Sequence, residues 1–90
     1  MSQQPPSVDL CRALTIVDGA TEEVVDLHQI DSFDLEAFAR QFDVPVQYDP
    51  QMLDRYAVGP DDVQFLTDAL GVSLPFDFSR FAYFIEALKR

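Results

Sequence analysis

Residues 8–30 read VDLCRALTIVDGATEEVVDLHQI, and this stretch decides the fold. Val8, Leu10, Leu14 and Ile16 share one parity, broken by Arg12, while Asp9, Cys11, Ala13, Thr15 and Val17 share the other. A period of two over this length predicts a strand with one better-buried face. Asp18-Gly19-Ala20-Thr21 follows, with a glycine available for the positive φ of a hairpin turn. Val24 to Ile30 is then the returning strand. The expected buried face is Leu10, Leu14, Ile16, Val25 and Leu27, which holds for any even shift of register; the loop length, and so the pairing, stays open.

Beyond the hairpin the period changes. Leu35, Phe38, Ala39 and Phe42 fall at i, i+3, i+4 and i+7, an apolar stripe that predicts a helix ending before Val44-Pro45. Ser32 is the expected N-cap, with Asp34 and Glu36 in the first turn where the helix dipole favours acids. Residues 43–59 are irregular. Val44, Val46 and Tyr48 alternate as a short third strand would, and Gln51 to Arg55 fits one helical turn. Pro60-Asp61-Asp62 opens a second helix with the stripe Val63, Leu66, Ala69 and Leu70, closed by Gly71. A third helix is expected from about Asp77 to Leu88, with Phe78, Phe81, Phe84, Ile85 and Leu88 as its apolar face and Tyr83 off it. The expected fold class is therefore α+β: an N-terminal β-hairpin, with a third short strand as an option, packed against about three helices.

Composition narrows the function. The chain has 90 residues, of which 48% are hydrophobic and eight are Phe, enough for one globular domain over residues 8–90 behind a frayed leader at residues 1–7. Sixteen acids face six Lys and Arg, for a formal net charge of -10. That disfavours nucleic acids and anionic membranes, which need a positive surface, and favours a basic partner. No apolar run approaches the roughly 20 residues that span a bilayer, and the first residues lack the charged and apolar regions of a signal peptide, so the expected compartment is the cytoplasm.

No constellation for catalysis stands out. Cys11 and His28 lie on opposing strands of the expected hairpin with the same parity and could approach each other, which is the start of a nucleophilic site, but no third group or oxyanion donor accompanies them. One Cys and one His do not build a zinc site, and Asp49, Asp54, Asp61 and Asp62 lack the alternate spacing and central Gly of a calcium loop. Glu22-Glu23 and Asp61-Asp62 read as turn and helix-start residues. The expectation is a protein that is not an enzyme and has no catalytic, metal or cofactor residues.

Three stretches carry a resemblance: Ser32-Phe33-Asp34-Leu35, Asp49-Pro50-Gln51-Met52 to Tyr56, and Phe81-Ala82-Tyr83-Phe84-Ile85-Glu86. With the size and charge of the chain, the region from about residue 24 to the end resembles the small acidic immunity proteins of bacterial polymorphic toxin systems. The resemblance implies a cytoplasmic inhibitor that neutralises a basic toxin domain by direct binding. The competing expectation is an acidic adaptor, chaperone-like protein or nucleic-acid mimic on a basic host protein. For the inhibitor, the irregular segment is the expected contact surface, through Asp43, Tyr48, Asp49, Asp54, Tyr56, Asp61 and Asp62: acids steer a cationic partner, and Tyr supplies anchor area with a polar tip.

Overall fold

The computed structural model describes residues 10–89. The leader assigned to residues 1–7, Val8 and the side chain of Leu10 lie outside what it describes. Strand β1 spans Leu10–Asp18, β2 Val24–Gln29, helix α1 Leu35–Gln41 and β3 Tyr56–Ala57. A short 3-10 turn at Pro60–Asp62 leads into α2, Val63–Leu70, and the chain closes with β4, Phe81–Lys89. The fold is α+β, with one antiparallel four-stranded sheet ordered β2-β1-β4-β3 and two α-helices among the described residues. β1 pairs with β4 along its whole length, from Leu10 opposite Lys89 to Asp18 opposite Phe81.

The largest correction is at the C-terminus, where the expected third helix is strand β4. Residues 81–88 satisfy both periods. Phe81, Tyr83, Ile85 and Ala87 alternate as cleanly as Phe81, Phe84, Ile85 and Leu88 step round a helix. Aromatic and β-branched residues favour the pleated sheet. The second strand of a hairpin also leaves one edge of β1 unpaired, and β4 fills it. As a result Tyr83 is a core residue, 3% exposed, rather than an off-stripe one.

The hairpin forms, but its parity differs from the expected one. Leu14 pairs with His28, Thr15 with Leu27 and Ile16 with Asp26; the ladder then shifts, so that Val17 meets Val24. Leu27 therefore shares the face of Thr15 rather than that of Leu14 and is 45% exposed, while Val25 falls at the shift and is 52% exposed. The turn also uses a different residue in the left-handed region: Glu22, at φ 64, in place of Gly19. Asp18 organises it, its Oδ1 accepting the N–H groups of Ala20 (2.7 Å) and Thr21 (3.0 Å). Gly19 is needed for space, because a Cβ there would lie 2.9 Å from the Arg80 carbonyl oxygen, which also accepts the Gly19 N–H at 2.9 Å.

Both helices contribute to a core on the Leu14 side of the sheet. Leu14, Tyr83 and Ile85 from the strands meet Phe38 of α1, Leu66 of α2 and the loop residues Val44, Met52 and Val58. Phe38 is 1% exposed and sits within 4.7 Å of the Phe33 ring and 4.8 Å of Phe65. Asp34, not Ser32, caps α1: its Oδ1 accepts the Ala37 N–H at 3.2 Å. Gly71 closes α2 at φ 76, as its sequence position indicates. The alternation at Val44, Val46 and Tyr48 forms turns instead of a strand, with the N–H groups of Tyr48 and Asp49 both on the Pro45 carbonyl. The third strand lies later, at Tyr56–Ala57, and no helical turn forms over residues 51–55.

Phe38→Ala is expected to cost about 3–5 kcal/mol, since it empties the centre of the aromatic cluster. Leu27→Ala, at a side chain 45% exposed, should cost less than about 1 kcal/mol. Chemical denaturation of both variants in dilute solution checks the pair.

Candidate functional site

The irregular segment after α1 is held in shape by one buried carboxylate. Asp49 is 7% exposed. Its Oδ1 accepts the Leu53 N–H at 2.8 Å, and its Oδ2 accepts the Asp54 N–H at 3.0 Å and the Tyr56 hydroxyl at 2.6 Å. The bend this carboxylate closes includes Met52, which takes φ 53 and places its side chain in the core. Arg12 reaches over from β1 and donates through Nη2 to the Gln51 carbonyl at 2.8 Å, with its guanidinium 4.7 Å from the Phe33 ring centre. The arginine that breaks the apolar alternation of β1 is thus the tie between sheet and loop.

Burial works to raise the Asp49 pKa. The Tyr56 hydroxyl, the Leu53 and Asp54 N–H groups and the Arg12 charge outweigh it and hold the carboxyl below its ordinary value. Burial, the bond to Asp49 and the nearby Asp49 and Asp54 charges push Tyr56 up to about 12. Asp62 has a similar structural job. Its Oδ2 accepts the Gly59 N–H at 2.9 Å and its Oδ1 the Gln41 side-chain amide at 2.7 Å, which joins the start of α2 to the end of α1.

The seven expected contact residues therefore divide into two groups. Asp49, Tyr56 and Asp62 are engaged within the chain. Asp43, Tyr48, Asp54 and Asp61 are exposed, Tyr48 at 85%. Asp43 also lines a groove of about 710 Å³ between α1 and the loop that follows it. Asp34, the cap of α1, and Glu36 in its first turn join Asp43 there, while Leu35, Val44 and Val46 supply apolar wall. Arg40 also lines it, paired to Glu36 at 3.7 Å. The α1 acids were legible only as dipole-favoured first-turn residues; their second role depends on the chain folding back at Pro45, which no local pattern encodes.

The Cys11–His28 pair does not form. Cys11 lies opposite Leu88 on β4, and His28 opposite Leu14 on β1, so the observed register places them on different faces of the sheet. His28 instead meets Asp26, with Nε2 3.2 Å from Oδ2. Among the described residues no group of three or more His, Cys, Asp or Glu is placed to hold a metal ion, and no helix is long and apolar enough to cross a membrane.

Because Asp49 has a depressed pKa in the fold, its contribution to stability is present above its unfolded-state value and is lost as pH falls through the folded one. Stability should therefore drop below about pH 4. Asp49→Asn should flatten that acid limb and lower stability at neutral pH. Tyr56→Phe should cost about 1–2 kcal/mol at pH 7 by removing a donor from a buried charge. Urea midpoints from pH 2 to pH 7 check all three.

No curated protein and no solved structure matches the chain. Residues 11–86 match the family described as a domain of unknown function, DUF7683, and the matched span runs from β1 through most of β4. The chain belongs to the DUF7683 family.

Proposed function

We propose that the chain is a non-catalytic binding protein, acting in the cytoplasm as an immunity protein or inhibitor that neutralises a basic bacterial toxin domain by direct contact. The observation that carries this reading is the acid-rimmed apolar groove beside α1 in a chain of net charge -10. A basic surface is attracted over long range by the charge, and its apolar and aromatic side chains find a wall of Leu35, Val44 and Val46 to bury against. Tyr48, the most exposed large side chain of the segment, extends the surface as an anchor. Asp54 and Asp61 add steering charge. Asp49, Tyr56 and Asp62 act by holding the segment in place rather than by touching the partner.

The test is capture of partners from the native host by the purified chain at low and high salt. A basic toxin domain should be recovered, held more weakly at high salt. Joint Asp43→Lys, Asp54→Lys and Asp61→Lys substitution should slow its association by about tenfold or more. Tyr48→Ala should instead speed dissociation. Recovery of acidic partners alone, or equal binding by the charge-reversed chain, would remove the inhibitor reading.

A further inference from the structure

β2 is an edge strand, and among the described residues nothing pairs with its outer side. The direction of its backbone groups follows from the ladder. The Ile30 N–H donates to the Arg12 carbonyl at 2.7 Å, in step with the pairing of His28 and Asp26 to β1, so the even positions bond inward. Leu27 and Gln29 therefore present their N–H and C=O groups outward. In the single chain Asp26 substitutes for the missing neighbour: its Oδ1 accepts the outward Leu27 N–H at 2.8 Å, and its Oδ2 meets His28 Nε2 at 3.2 Å. Val24, Val25 and Leu27 stay 59%, 52% and 45% exposed along this edge.

A second copy of the chain fits the edge by side-chain pairing as well as by backbone hydrogen bonding. Two antiparallel copies must match outward positions with outward positions. Centring the twofold axis on Asp26 sets the two Asp26 carboxylates against each other, and centring it on His28 sets His28 against His28. Centring it on Leu27 pairs Leu27 with Leu27 and Asp26 with His28 of the second copy, the latter twice by symmetry. Leu27 then sits in a hydrogen-bonded pair, and Asp26 and His28 in the closer non-bonded pairs, where side chains approach most. We propose that the protein self-associates through β2 in this register, extending the sheet across a twofold axis with reciprocal Asp26–His28 hydrogen bonds.

The contact is small against the roughly 1,600 Å² of a standard interface, so the dimer is a weak one. Two copies of charge -10 also repel, and salt screens that repulsion, so added salt strengthens self-association. This sign is opposite to that for a basic partner, and the two contacts use different elements, so either can fail without the other.

The experiment is sedimentation of the full chain from about 10 μM to 1 mM, at two salt concentrations, with Asp26→Lys and His28→Glu variants run singly and as an equimolar mixture. The parent chain should form dimers within this range, more at the higher salt. Each variant alone should associate at least about tenfold more weakly, because Asp26→Lys removes the carboxylate that accepts from His28 and His28→Glu sets carboxylate against carboxylate across the axis. The mixture should recover association to within about threefold of the parent, since lysine then faces glutamate and His28 faces Asp26 between the two chains; restored pairing within one chain cannot produce that result. A parent chain that stays monomeric throughout overturns the proposal and leaves Asp26 as a guard against edge pairing. Variants that associate like the parent, or a mixture no stronger than its components, overturn it as well.

Discussion

The fold depends on the pairing of its first strand with its last. β1 and β4 match residue for residue over their full length, from Leu10 opposite Lys89 to Asp18 opposite Phe81. Every other element is placed by that ladder. β2 hangs on one side of it through the hairpin, and β3 on the other through Tyr56 opposite Ile85. The helices then cover the face that carries Leu14, Tyr83 and Ile85. Such a pairing closes nearly the whole chain into a loop, an entropic cost that grows only slowly with loop length but must be met before the contacts it permits form. The core and the sheet are thus expected to form together.

The acids of the molecule fall into two kinds. Asp18, Asp34, Asp49, Asp62 and Asp77 accept backbone N–H groups at turns and at the start of α1. Asp18 and Asp77 are held below their ordinary pKa mainly by hydrogen bonds, from backbone N–H groups for Asp18 and from the Ser79 side chain for Asp77. These acids replace structure that so short a chain does not supply with longer helices. The acids left over, such as Asp43, Asp54 and Asp61, are the exposed ones. Sequence alone makes the two kinds look equivalent, although adjacent Asp61 and Asp62 differ in this respect.

What was legible in the sequence follows from how local each feature is. The existence of the hairpin, the stripe of α1, the turn at Pro60 that leads into α2 and the Gly71 end of α2 are set by neighbours within a turn or two, and each is found in the fold. β4 was misread because its residues fit two periods, and the deciding partner is about seventy residues away in the chain, beyond the reach of any periodicity argument. The hairpin parity was misread because the ladder shifts by one residue between Ile16 and Val17: beside the turn Val17 meets Val24, the expected parity, whereas beyond the shift Ile16 meets Asp26 and Leu14 meets His28. That single change removes the Cys11–His28 pair and exposes Leu27. Of the segment after α1, its irregularity was legible, but the buried role of Asp49 was not. That role needs Arg12 and Tyr56 brought in from two separate strands.

The ladder that organises the molecule is also its most accessible test. In an antiparallel sheet, Hα atoms of non-hydrogen-bonded pairs come close together, and Leu14 opposite Ile85 is such a pair, because Leu14 directs its hydrogen bonds to β2. An NMR measurement of nuclear Overhauser contacts in the full chain should show a strong Hα–Hα cross-peak between Leu14 and Ile85, repeated between Ile16 and Tyr83. Sequential helix contacts across residues 78–88, with no cross-peak to β1, would contradict the account at its foundation.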